Sequence, residues 1–340
     1  MNIKNLILSC LVLVLIACEN QDIVYPNYET TAGYFPYQTP VRTLILGNYD
    51  QGINENDNNF RFEIGMTMAG VYENEQERTV HFEIDNSLLD NVANVQALPG
   101  EYYTTDVQSP LTIPSGTTKG IIPIQLTGGF FDDPLSYGEG VNYVIPVRIT
   151  ELENLDTLLA GESVVANPNR VNPADWNTLP RDYTLFGIKY INPYHGSYLR
   201  RGVDVMIDAA GNEVENVYIS EFVVRDEVVP VNTSGRRSVT LENTVRRGDN
   251  ASPGNLMMEL SFNSENTCTI SSATDDPYQI DGSGQFVEGG DEWGGRPRDV
   301  IYLDYDYTDI ANNETHSVQD TLVIRDRAVT FEEFTVELKE

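Results

Sequence analysis

Trp293 stands in Gly289-Gly290-Asp291-Glu292-Trp293-Gly294-Gly295-Arg296, an indole among two acids and a base, with glycine pairs on both sides. Glycine admits positive φ, so such a loop can lift a ring away from the sheet that carries it. An exposed indole stacks on the apolar C–H face of a sugar while charged neighbours bond the hydroxyls. Trp293, Asp291, Glu292 and Arg296 are therefore the expected ligand contacts. The chemistry they suit is binding.

Patterns for catalysis are missing. The three histidines, His81, His195 and His316, are far apart in the chain, and no HExxH, CxxC or G-x-S-x-G occurs. His81 alternates outward on a strand pattern, and His195 sits in an Asn-Pro-Tyr-His-Gly turn, so both read as surface or turn-capping imidazoles. Paired carboxylates alone can hydrolyse a glycosidic bond, and acids are abundant, so motifs do not exclude that class. Asp50 to Asp57 and Asp304 to Asp309 are acidic stretches with alternating oxygen ligands. Neither has the spacing or the terminal bidentate glutamate of a calcium loop, and both read as solvated turns or strand faces. No metal, no cofactor and no enzymatic activity is expected.

The elements that must position these residues begin with a leader. Lys4 precedes an apolar run from Leu6 to Ile16, eleven residues, about half of what a spanning helix needs. It reads as the core of a signal peptide. Leu15-Ile16-Ala17-Cys18 resembles the bacterial lipobox, whose cysteine becomes the acylated first residue of the mature chain. Several acyl chains anchor a protein without a transmembrane helix. Glu19-Asn20-Gln21-Asp22 resembles the signal that sends Bacteroidetes lipoproteins to the outer face of the outer membrane. With Cys10 lost and Cys18 lipidated, Cys268 has no disulfide partner and is expected to be buried.

The formal charge of −31 excludes nucleic acid and an anionic membrane surface as docking partners. Period-two alternation dominates the mature chain, as in Phe60 to Met66 and Thr79 to Asp85, which is the mark of antiparallel sheets with one wet face. Pro123 and Pro146 interrupt two such runs and predict edge strands or bulges there. Leu88, Val92 and Val95 are spaced for a short helix. Asn167-Pro168, Asn172-Pro173 and Leu179-Pro180 mark a linker. The organisation expected is a signal peptide at 1–18, a tether at 19–29, a β-sandwich at 30–159, a linker at 160–181 and a barrel-forming β-meander at 182–340.

Tyr143 to Thr150 and Pro99 to Tyr103 resemble the N-terminal domain of a group of two-domain Bacteroidetes surface lipoproteins. Asp182 to Gly202, Asp291 to Gly295 and Asp299 to Tyr305 resemble the C-terminal domain found with it. The resemblance spans essentially the whole mature chain. It implies an immunoglobulin-like sandwich followed by a calycin-like barrel. It also implies an origin in a polysaccharide-utilisation locus, beside an outer-membrane transporter complex and its glycan-capturing partner. Some N-terminal domains of this type precede a chitinase-like barrel, but the second half here lacks the helices and length for one.

The reading is an all-β lipoprotein, anchored in the outer membrane and displayed at the cell surface, that binds a glycan without catalysis. The alternative is a structural or adhesive protein that binds a protein partner. Replacement of the lipidated residue, Cys18→Ala, is expected to move the protein into the soluble fraction with its circular dichroism unchanged. Retention of the variant in outer membranes after a high-salt wash would refute lipid anchoring.

Overall fold

The computed structural model describes residues 27–246, 254–273 and 278–339. The signal peptide, Cys18 and most of the tether lie outside them. Strands take up 53% of the described residues and helices 8%, as expected for an all-β protein.

The first unit has two sheets that share one core. One sheet runs in the order Thr157–Leu158, Ala32–Tyr34, Arg61–Ala69, Lys119–Leu126, Tyr103–Thr104. The other runs Glu332–Glu333, Pro40–Ile45, Tyr183–Ile191, Tyr143–Glu153, Arg78–Ile84, Leu111–Ile113. Alternation decides which side chains enter the core. In Arg61–Ala69 every second residue is buried, and Phe62, Ile64, Met66 and Met68 meet Val80, Val147 and Ile149 of the opposite sheet.

Three expectations are corrected here. Pro146 lies in a central strand, not at an edge. Its neighbour on one side changes there, from Gln96–Ala97 at residues 143–144 to Arg78–Ile84 from Val147 onward, so no ladder bond is lost. Leu88, Val92 and Val95 are buried, but only a 3-10 turn, Asn86–Leu89, forms around them. The domain boundary also moves. Tyr183–Ile191 pairs antiparallel to Tyr143–Glu153 and parallel to Pro40–Ile45, so it belongs to the first unit. Both of its faces are buried, and periodicity alone does not say which sheet such a strand joins. The chain end returns as well: Glu333 pairs with Pro40, and Leu338 bridges to Val92.

The second unit is a closed antiparallel barrel of eight strands. In order these are Gly196–Ile207, Glu227–Thr233, Ser238–Thr244, Asn255–Phe262, Thr267–Ser272, Tyr278–Trp293, Arg296–Asp309 and Glu314–Asp326. The eighth closes on the first from Ser197↔Asp326 to Ile207↔Thr315, which removes the exposed edges. Glu213–Tyr218 adds a further strand beside the first. The turn before it is held by Asp208, whose carboxylate accepts from the Ala210 and Asn212 amides. Gly282 allows close approach of the sixth and seventh strands: a Cβ there would lie 2.4 Å from the Tyr305 side chain.

Side chains fill the barrel, and many of them are polar. Arg200 donates to Asp320 at 2.7 and 3.0 Å, to Asn243, and to the Tyr218 and Tyr305 hydroxyls. The Arg200 and Asp320 side chains are 1% and 0% exposed. A buried ion pair is tolerable only when its remaining donors and acceptors are satisfied, and here the tyrosines and Asn243 do that. Nearer the other end, Asp204 pairs with His316 Nδ1 at 2.9 Å, and the imidazole stacks on Tyr307 at 4.1 Å. Cys268 is buried, and its thiol is pushed up to about 12 by desolvation.

Candidate functional site

The sixth and seventh barrel strands run into a hairpin whose turn is Gly294-Gly295, with φ of +65° and +71°. Positive φ at two successive positions is the tight hairpin geometry that glycine favours. Trp293 sits at its tip, but its ring is not lifted clear. The indole packs on Leu199, Val300 and Val323 on the outer barrel wall. Its N–H donates to the Ile324 carbonyl at 2.8 Å, and the Arg298 guanidinium lies 4.2 Å from the ring centroid. An apolar patch on the wall supplies the burial that the local sequence lacks. Asp291 is half-buried, with its carboxylate on the Glu292 amide, while Glu292 and Arg296 are exposed. The four expected contacts therefore do not converge on one point.

What the hairpin does is carry Arg298 and Asp299 to the first unit. Arg298 pairs with Asp50 at 2.7 Å, and Asp299 accepts from the Gly289 amide at 2.9 Å and the Asn48 amide at 3.3 Å. A cleft of about 280 Å³ lies between them, lined also by Tyr49, Asp326 and Arg327. The loop on the first unit is held by asparagines: Asn54 donates to the Ile45 and Gly47 carbonyls. The acidic stretch Asp50 to Asp57 thereby splits. Asp50 faces the cleft, whereas Asp57 is buried against Arg42 and the Ile45 amide, and burial raises its pKa. Among the described residues no group of three or more acids, histidines or cysteines is arranged to hold a metal ion.

Arg327 joins the two units. It is 4% exposed and donates to the carbonyls of Asn48 (2.7 Å), Asn192 (2.6 Å) and His195 (2.8 Å). Burial lowers its pKa from the ordinary arginine value, yet a guanidinium stays charged in a protein. On its other flank is a second cleft of about 540 Å³, with Lys189, His195 and Glu332 in its lining. His195 is a residue that sequence reasoning passed over as a turn. Its Nδ1 accepts the Thr233 amide at 3.0 Å, and desolvation, then Arg327 and Lys189, lower its pKa to about 4. Its place in the Asn192-Pro193-Tyr194-His195-Gly196 turn gives no sign in the sequence of that partner. The remaining histidines are elsewhere: His81 pairs with Glu153 at 2.7 Å, and His316 lies inside the barrel.

A model for a domain of unknown function, DUF5627, matches residues 193–328, and an N-terminal-domain model matches residues 25–156. A protein of unknown function from Bacteroides ovatus is 33% identical, with a TM-score of 0.83 over 92% of this chain and 99% of that one. The chain belongs to the same two-domain Bacteroidetes family as that protein, and residues 193–328 are its DUF5627 domain. The DUF5627 match begins where the barrel begins, in agreement with the strand pairing. Weaker likenesses include a B. ovatus multidomain protein containing DUF1735, at 12% identity and TM-score 0.41, covering 91% of this chain and 100% of that one. An auxiliary nutrient binding protein from Bacteroides thetaiotaomicron stands at 14% and 0.38, covering 87% and 95%. No curated protein matches.

The DUF5627 junction has a pH dependence that follows from His195. Its folded pKa of about 4 lies below the ordinary imidazole value of 6.5, so the unfolded chain takes up the proton first as pH falls. The neutral imidazole is compatible with folding above 6.5, and stability is lost between 6.5 and 4. At pH 5 the loss from this group is about 2 kcal/mol. Denaturant titrations at pH 7 and pH 5 are expected to show that loss in the wild type and a smaller one in His195→Gln. Equal slopes in the two proteins would show that His195 titrates normally.

Proposed function

We propose that the chain is a non-catalytic, lipid-anchored accessory of a nutrient-utilisation system at the bacterial surface, and that it binds carbohydrate in the cleft between Tyr49 and Arg298. On this reading the first unit is immunoglobulin-like, the barrel is calycin-like, and an outer-membrane transporter complex is the partner. The anchor rests on Leu15 to Cys18.

One observation carries the binding role. Both units supply polar groups to a single cleft, and most are already held in place: Asp50 by Arg298, Asp299 by Asn48 and the Gly289 amide, Arg298 by the face of Trp293. Donors and acceptors held in advance cost little ordering entropy when a ligand arrives. Adjacent acids and a guanidinium match the paired hydroxyls of a sugar, and Tyr49 adds an aromatic wall. The volume, about 280 Å³, lies just under the usual pocket range of about 300–1,000 Å³ and suits one ring of a chain rather than a long segment. The carboxylates are committed to protein partners, which favours holding a ligand over cleaving it.

A second reading has its own support. Val217, Ile219, Phe222, Val224 and Val228 are each 48–60% exposed around the strand Glu213–Tyr218. Clustered apolar exposure of that kind favours the adhesive, protein-binding alternative.

Affinity electrophoresis against a panel of neutral polysaccharides separates the two. The wild type is expected to be retarded by at least one, and Arg298→Ala to weaken that affinity by about tenfold, or 1.4 kcal/mol. Retardation of neither protein by any polysaccharide would overturn the carbohydrate reading.

A further inference from the structure

The cleft on the far side of Arg327 has a chemistry unlike that beside Tyr49. Its buried part is made of donors and its rim of acids. We propose that it is a second binding site, selective for a carboxylate-bearing sugar, in which the His195 Nε2–H and the Lys189 ammonium take the carboxylate.

The donor assignment for His195 follows from geometry. The Thr233 amide N–H points at Nδ1, so Nδ1 must carry a lone pair and the ring proton of the neutral imidazole resides on Nε2. No acceptor for Nε2 is present among the described residues, and the ring lines the cleft. Burial and the nearby Arg327 and Lys189 lower the His195 pKa and keep the ring neutral, while the Thr233 amide fixes the tautomer.

Lys189 supplies the charge. Its side chain is 13% exposed, and one of its N–H groups reaches Glu332 at 2.9 Å. An ammonium has three donors, so two remain for a ligand. Arg327 adds positive potential from behind His195, but its guanidinium is spent on backbone carbonyls. Hydrogen bonds from a charged donor to a carboxylate are shorter and about twice as strong as neutral ones, and partial burial strengthens them further.

The acids lie on the outside. The Glu332 side chain is 40% exposed. Glu139 is exposed between Gly138 and Gly140, whose φ values are +98° and +75°. Ring hydroxyls directed outward would donate to these two carboxylates while the ligand's own carboxylate faces inward. A neutral sugar would leave the ammonium without a counter-charge beyond Glu332. A uronic acid satisfies both layers, and this separates the site from the more evenly charged cleft at Tyr49.

The test is a titration of the full-length protein with glucuronic acid and, separately, with glucose, followed by the imidazole nitrogens in a long-range proton–nitrogen correlation spectrum. Glucuronate is expected to shift the His195 Nε2 resonance saturably, and glucose to leave it in place. Lys189→Met is expected to weaken glucuronate at least tenfold, whereas Arg298→Ala leaves it unchanged. Absence of a saturable shift with glucuronate, or an equal shift with glucose, would overturn the proposal. So would unaltered affinity in Lys189→Met. If that variant does not fold, the wild-type titration decides by itself. The neutral-polysaccharide experiment at the Tyr49 cleft uses other probes and another variant, so either site can fail alone.

Discussion

Three backbone carbonyls, one from a loop of the first unit and two from the turn at 192–195, point at one guanidinium. Arg327 bonds Asn48 in a loop of the first unit, Asn192 just past its last long strand, and His195 at the entrance to the barrel. A buried charge is expensive unless its hydrogen-bonding capacity is met, so this arrangement holds only while the loop and the turn stay together. Barrel closure delivers the residue. The eighth strand ends at Asp326 after pairing along the first, and Arg327 is the next residue. Both clefts are built on the segments it ties, one at Asn48 and one at His195. The chain end then returns to the first unit through Glu333 and Leu338, which adds a second tie.

The barrel serves this junction as a wall and not as a container. Its interior is filled by an apolar cluster that includes Val231, Leu241, Met258 and Leu322, together with the buried polar groups of Arg200, Asp320, Tyr305, Asp204 and His316, so little room is left inside. Such an interior is poor for a lipophilic ligand and good for specifying one packing, since each charged group has a single satisfying arrangement. Function is thereby pushed outward, to the hairpin beyond the barrel and to the junction. Trp293 illustrates the shift. Its ring secures the hairpin to the wall and gives Arg298 a face to lie on, so it positions a contact without being one.

Strands were legible from alternation wherever one face is wet. Phe62, Ile64 and Met66 point inward as their spacing demands, and in Asp304 to Tyr307 both tyrosines are buried and both aspartates exposed. Alternation says nothing about which strands pair. Tyr183–Ile191 is apolar on both faces and fits a sandwich centre as well as a barrel wall. Trp293 looked exposed because its chain neighbours are glycines, but the surface that buries it comes from residues 199, 300 and 323. His195 looked like a turn because its nitrogen partner, Thr233, lies on another strand. Contacts between distant segments, which make the clefts, leave no mark in local spacing.

The central claim is that Arg327 holds the two units as one binding body. Differential scanning calorimetry of Arg327→Met, set beside the wild type, tests it most directly. That substitution keeps much of the side-chain volume while removing the donor from the Asn48 and His195 carbonyls, each at a cost of about 1–3 kcal/mol, and leaves the Asn192 carbonyl only its bond from the His195 amide. The wild type should unfold in a single transition, and the variant in two, each half retaining its β-type circular dichroism. A single transition in the variant, at the wild-type temperature, would contradict the account.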